Sequence, residues 1–308
     1  MTEALAHTDT TVRVRVPAKI NLHLGIGPLR EDGYHDLTTV FESISLYDEL
    51  TATPADTITL TIEGEGQDTL PTDRRNLAHL AAAELAAYTG TRTGAHLHLK
   101  KRIPIAGGLA GGSADAAAAL IACNTLWNTG LTPAELDKLA AALGSDVPFC
   151  LHGGTALGTG RGEQLHPVLS TGTRHWVIAT AHGELATPAV YREVDRLREN
   201  GHGTYHDNVD ALLAAIRNSD PDTVAKALHN DMQQAATTLM PSLADTLQAG
   251  LDEGALTALV SGSGPSCLFL ARDERHAGSL AKRLTLRRVA REIHTAESPV
   301  PGATLTEA

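Results

Sequence analysis

An α+β protein of two lobes, with sheets covered by helices on one side, is what the sequence predicts, and three observations carry that prediction. The chain has 308 residues, about twice a typical domain length. Strand-like and helix-like stretches alternate irregularly, and the glycines do not repeat at a fixed period. Apolar residues make up 42% and charged residues 20%, the balance of a chain with a packed interior and not of a disordered one.

Charge and cysteine usage narrow the function classes. Lys and Arg number 25 against 36 Asp and Glu, a net charge of −11, so nothing draws the chain as a whole to a nucleic-acid backbone and any phosphate must be gripped locally. Cys123, Cys150 and Cys267 lie far apart with no CxxC pair, which speaks against a disulfide framework or zinc knuckle and for a reducing cytosol. Met1 to Thr11 lacks a basic stretch followed by an apolar core, and no apolar run of about 18 residues occurs, so the expectation is a cytoplasmic protein without a membrane segment.

Val12, Val14 and Val16 alternate with Arg13 and Arg15, a half-buried strand ending at Pro17. Ile58, Leu60 and Ile62 repeat the alternation, and Asn76 to Tyr88 places Leu77, Leu80, Ala81 and Leu85 on one helical face. A strand over Ala95 to Lys100 leads into a glycine-dense loop, Ile103 to Gly112, and then into an alanine-rich helix, Ser113 to Trp127. Thr132, Pro133 and Glu135 form a capping box for a helix to about Leu143, stopped by Gly144. Gly153 to Gly162 closes the first lobe, and a strand over Trp176 to Thr180 starts the second. Thr187 and Pro188 cap a helix to about Glu199, with helices over roughly 208–218, 222–239 and 242–253 after it. Strands near Leu256 to Val260 and Cys267 to Ala271 flank Ser261-Gly262-Ser263-Gly264. The lobes are expected over 1–170 and 171–295, with 296–308, rich in Thr, Pro and Ala, as an untethered tail.

The stretch Pro104-Ile105-Ala106-Gly107-Gly108-Leu109-Ala110-Gly111-Gly112-Ser113-Ala114 ends a strand and opens a helix. Unpaired N–H groups converge there at the positive end of the helix dipole, so a polyphosphate fits, and Ser113 adds a hydroxyl. No Gly-Lys-Ser/Thr follows and the spacing is not GxGxxG, which removes Walker A proteins, dinucleotide folds and protein kinases. A flexible turn with close helix packing is the alternative until context decides.

That context is a resemblance. The segment Pro104 to Ala114 is similar to the ATP-binding motif of the GHMP kinases. Pro17-Ala18-Lys19-Ile20-Asn21-Leu22, Arg30 to Leu37 with Thr39-Val40-Phe41, Gly144-Ser145-Asp146-Val147-Pro148-Phe149 and Ser261 to Gly264 follow in the order that one branch of this family shows. The match runs from about residue 12 to residue 272. It implies a ribosomal S5 domain 2-like first lobe, a ferredoxin-like second lobe, and ATP with Mg²⁺ meeting a small-molecule acceptor between them. In that branch the acceptor is a cytidine diphosphate-linked methylerythritol, phosphorylated on its 2-hydroxyl. No nucleic-acid or membrane partner is implied, and the chain is expected to be a monomer or weak homodimer.

By the same resemblance Lys19 favours the developing alkoxide and Asp146 is the general base. Taken alone, Lys19 also reads as a snorkelling surface lysine and Asp146 as an N-cap or Asx-turn aspartate. Tyr34 is implied to stack on cytosine, with His35 at its polar edge and Tyr191 as a second ring that could sandwich the base; locally the pair 34–35 reads as a hairpin turn. Thr187 is a helix cap that also contacts substrate, Asn21 a polar ligand to the acceptor, and Asn76 and Lys101 lie near the nucleotide. Asp115, close to the anion site, either favours a magnesium ion or points away. The 15 histidines form no metal motif, and Ser261 to Gly264 lacks nucleophile-elbow spacing, so it reads as a buttress of the phosphate loop. A kinase for homoserine or mevalonate, or a regulatory nucleotide-binding module, is the alternative; Arg30 to Leu37 speaks against the first and the pair Lys19 and Asp146 against the second.

Overall fold

The structure is a computed structural model describing residues 11–307, so the reading of Met1 to Thr10 as free of a leader lies outside the described residues. The elements are β1 (Val12–Leu29), β2 (His35–Ala55), β3 (Thr59–Gly64), α1 (Leu77–Thr89), β4 (Gly94–Lys101), α2 (Gly111–Leu126), α3 (Pro133–Leu143), α4 (Val147–His152), β5 (Thr155–Thr159) and β6 (Gln164–Pro167). There follow β7 (Arg174–Thr180), α5 (Thr187–Glu199), α6 (Asp210–Asn218), α7 (Pro221–Ala227), β8 (His229–Asn230), α8 (Gln233–Leu239), α9 (Ser242–Asp252), β9 (Thr257–Val260), β10 (Cys267–Ala271), α10 (Glu274–Arg287), β11 (Glu292–Ser298) and β12 (Thr304–Thr306).

The first sheet runs β12-β1-β2-β4-β3, with β5 on β2, β6 on β5 and β8 on β1; the second runs β11-β7-β10-β9 and is antiparallel throughout. Within the second lobe, helices link β7 to β9 and β10 to β11 while β9 and β10 pair as consecutive antiparallel strands, the split βαβ order of a ferredoxin-like fold. One apolar cluster joins Val14, Ile20 and the alanines of α2 to Trp176, Leu212 and Leu268, so the two lobes share buried surface.

Three expectations need correction, and one strand, β2, was not anticipated. Strand β1 does not end at Pro17: a register shift between Pro17 and Ala18 absorbs the proline, and the strand continues with both faces covered. Strand β2 escapes the alternation rule because Thr39, Glu42, Ser43 and Asp48 are buried polar residues with partners of their own. The helix expected over 222–239 is two short helices split by β8, where Asn230 spends its amide on the carbonyls of Val260 and Gly262 (2.8 Å each). The tail expected over 296–308 is tethered along its described residues, 296–307. Thr304, Leu305 and Thr306 pair with Arg15, Val14 and Arg13, and Gly154 N–H and Ser43 Oγ both donate to Val300 O. On the tail's side those anchors are backbone groups, which composition does not reveal.

Glu42 of β2 ties the sheets together. Its carboxylate accepts from Arg174 Nε (2.9 Å) and Nη2 (2.6 Å), from Thr155 Oγ1 (2.9 Å) and from Ser298 Oγ, all buried. Glu42→Ala strands the Arg174 charge and is expected to cost about 3–5 kcal/mol in urea denaturation. A loss below about 1 kcal/mol, the range of exposed pairs, would deny the network that role.

Candidate active site

A cleft of about 990 Å³ opens between the lobes, lined by the 104–113 loop, the β1–β2 hairpin, Ser145 and Asp146, the start of α5, and Gly262 and Ser263. Its floor is an anion nest. Ala106 (φ 52°), Gly108 (φ 72°) and Ala110 (φ 57°) are left-handed, and α2 begins after Ala110 without a side-chain cap, leaving its first N–H groups for a ligand. Two alanines in a strained region are tolerated here because neighbours hold the loop: Lys19 N–H donates to Leu109 O (3.1 Å) and Ser261 Oγ to Gly108 O (3.0 Å). The segment 261–264 is thus the expected buttress. A Cβ on Gly108 would lie 2.1 Å from Ser261 O, which makes glycine obligatory.

Beside the nest, Lys19 Nζ lies 3.5 Å from Asp146 Oδ2, donates to Asn21 Oδ1 (3.0 Å) and sits 4.9 Å from the Phe41 ring centroid. It is 6% exposed, so the surface-lysine reading is wrong. Asn21 in turn donates to Thr39 Oγ1 (2.8 Å), which donates to His23 O (2.7 Å). Asp146 precedes α4 but makes no capping bond, so its carboxylate faces the cleft unspent. Sequence-distant β1 and α4 therefore deliver an ammonium and a carboxylate to one place.

Along the other arm of the cleft, His35 and Tyr191 stack on each other with centroids 5.0 Å apart and planes at 21°. Burial, then the Asp146 charge, pushes the Tyr191 phenol up to about 12, so it stays protonated. Tyr34 is half exposed in the hairpin turn, with the Arg161 guanidinium 4.8 Å from its centroid. The expected sandwich of Tyr34 and Tyr191 is therefore not preformed: His35 covers a face of Tyr191. Thr187 is the first residue of α5 and not its cap; that position is Ala186, and Thr187 Oγ1 hydrogen-bonds Ser263 Oγ (2.9 Å).

Asn76 and Lys101 line the cleft with their polar ends committed. Asn76 caps α1 through Ala78 N–H (2.9 Å) and donates to Pro71 O (3.0 Å). Lys101 Nζ sits between Asp48 (2.7 Å) and Asp115 (2.6 Å), a supporting position and not a free counter-charge for a nucleotide. Burial lowers the Lys101 pKa, but the two carboxylates outweigh it and the net shift is upward; burial drives Asp115 well above the usual carboxylate range. Sequence reasoning missed Asp195, whose Oδ1 accepts from His35 Nε2 (2.9 Å). The spacing 187, 191, 195 on one helix was its signal.

An uncapped helix start beside a Lys–Asp pair has the chemistry that phosphoryl transfer to an alcohol needs, and the sequence comparisons name the class. The pattern of the GHMP kinases N terminal domain matches residues 76–154 and that of the GHMP kinases C terminal matches residues 212–288. The chain belongs to the GHMP kinases, which are ATP-dependent. Within them it falls in the 4-diphosphocytidyl-2-C-methyl-D-erythritol kinase branch. The enzyme of that name from Salinispora tropica is 59% identical over 294 residues, 95% of this chain and 93% of its own. The one from Nocardia farcinica is 54% identical over 97% of each. A crystal structure of 4-(cytidine 5'-diphospho)-2C-methyl-D-erythritol kinase, 34% identical, superposes with a TM-score of 0.76 over 96% of this chain and 100% of that one. Among the described residues no helix is long and apolar enough to cross a membrane.

Proposed function

We propose that this chain transfers the γ-phosphoryl group of ATP to the 2-hydroxyl of 4-diphosphocytidyl-2-C-methyl-D-erythritol, in the non-mevalonate route to isoprenoid precursors. The observation that carries the reading is one cleft holding the anion nest, the 3.5 Å Lys19–Asp146 pair and the His35–Tyr191 stack. The N–H groups of 107–113 take the ATP phosphates. Asp146 accepts the hydroxyl proton, and Lys19 stabilises the oxygen that develops charge as it attacks. Asn21 positions Lys19 and offers its amide to the acceptor. Tyr191, His35 and Tyr34 take the flat cytosine, with Thr187 at the acceptor's polar portion. The three free thiols, all buried, suit the cytoplasm.

A magnesium ion fits the donor chemistry, because Asp115 Oδ1 is buried without a hydrogen-bond partner and Ser113 presents a hydroxyl at the same helix start. Those two side chains would hold it, and it would neutralise charge on the transferring phosphoryl group.

Asp195 is a positioning residue that fixes the His35 ring. Asp195→Ala is expected to raise KM for the cytidylyl acceptor by about tenfold, one charged hydrogen bond's worth, with kcat and the KM of ATP nearly unchanged. An equal fall in kcat for every acceptor would contradict that assignment. The reading as a whole is tested by ADP release with the cytidylyl acceptor, homoserine and mevalonate in parallel. Turnover with the first alone is expected; turnover with another alone, or with none, would overturn it.

A further inference from the structure

Two histidines, His206 and His229, bond one carboxylate where the 200–209 connection between α5 and α6 crosses β1, and His23 backs His206. None of them lines the cleft, and the transfer reaction uses none of them. Asp231, whose side chain is 2% exposed, has Oδ1 at 2.6 Å from His206 Nδ1 and 2.7 Å from His229 Nε2. The three donor atoms lie within 4.8 Å of one another.

We propose that His206, His229 and Asp231 bind a divalent transition-metal ion, Zn²⁺ by donor type, which pins this connection to β1 and β8. Two imidazoles and a carboxylate, with one position left for water, are the three-protein-ligand set of an open zinc site. The supporting shell is in place. Asp231 Oδ2 accepts from Ile26 N–H (2.8 Å) and lies 3.4 Å from Arg198, so the carboxylate is fixed with Oδ1 toward the rings. His206 Nε2 is 3.1 Å from Thr204 Oγ1, and His206 O accepts from His23 Nε2 (2.8 Å), which hold the ring and its backbone.

Without metal, one proton on each ring satisfies Asp231 Oδ1. A tetrahedral ion with bonds of about 2.1 Å needs donors roughly 3.4 Å apart, so each ring nitrogen backs off Asp231 Oδ1 by under about 1 Å and the two nitrogens, within 4.8 Å of each other, settle at the same spacing. The rings have room for it: the His206 and His229 side chains are 49% and 35% exposed, which also admits the ion from solvent. The connection they anchor presses on the strand, for a Cβ on Gly25 would meet His206 O at 1.9 Å. Leu24 and Met232, next to the cluster in the chain, line the cleft, so the clamp stiffens one wall of the acceptor site.

The test uses the whole untagged chain, stripped with EDTA and titrated with Zn²⁺ by calorimetry, with Co²⁺ absorbance and thermal melting alongside. One equivalent is expected to bind, raising the melting temperature and giving a tetrahedral Co²⁺ spectrum. His206→Ala and His229→Ala are each expected to weaken binding by more than the roughly 10-fold that losing even an outer-shell partner costs. His98→Ala, beside His96 and Glu63 on the exposed face of β4, is expected to leave it unchanged. No binding at metal concentrations up to about 0.1 mM, wild-type affinity in both cluster variants, or loss in His98→Ala would each overturn the proposal.

Discussion

Asp146→Asn is expected to lower kcat by roughly 10²–10⁴-fold, the usual worth of a general base, while the KM values of ATP and acceptor stay within about threefold. Asn keeps the shape and a side-chain oxygen toward Lys19 Nζ, 3.5 Å away in the wild type, but cannot take a proton from the attacking hydroxyl. Because Asp146 makes no helix-capping bond, the change removes nothing that α4 needs, and stability should hold. The loss corresponds to about 3–5 kcal/mol of transition-state free energy. Near-normal turnover would rule out Asp146 as the base, and a melting temperature that fell with kcat would point to a structural residue.

Gly108→Ala is expected to damage both ATP binding and stability. The backbone there is left-handed at φ 72°, and the added carbon would lie 2.1 Å from Ser261 O. Ser261 cannot retreat cheaply, since its N–H donates to Ser266 O (2.8 Å) and its hydroxyl to Gly108 O. Strain and overpacking together are expected to cost about 2–4 kcal/mol, and displacement of the nest to raise the KM of ATP at least about tenfold. Gly112→Ala is the internal control. Its added carbon meets only Leu77 Cδ1 at 3.7 Å, ordinary contact inside a helix, so both ATP affinity and stability should survive. Equal behaviour of the two variants would remove the reason given for glycine at 108.

The parts of the site that could be read from the sequence are those whose chemistry is local. The nest follows from glycines between a strand and a helix, whereas Lys19 and Asp146, which alone also read as a surface lysine and a cap or turn aspartate, owe their expected roles to the resemblance of the motifs that hold them. What required coordinates is pairing between distant segments. The carboxylate of Asp195 reaches His35 across 160 residues, and Lys101 is drawn into the interior by Asp48 and Asp115, which no spacing announces. The same cause hid β2, whose buried polar side chains break the period-two pattern because they serve Glu42 and Asn21 networks. It also hid β12, Thr304–Thr306, held by backbone bonds that leave no mark on the side-chain pattern.

The most direct measurement is a proton-coupled ³¹P NMR spectrum of the product formed from ATP and 4-diphosphocytidyl-2-C-methyl-D-erythritol. The 2-carbon carries a methyl group and no hydrogen, so phosphate placed there by the Lys19–Asp146 pair gives a new monoester resonance without proton splitting. That unsplit signal, absent with Asp146→Asn on the same time scale, is the expected result. A doublet or triplet from a secondary or primary hydroxyl, or no new monoester at all, would contradict it.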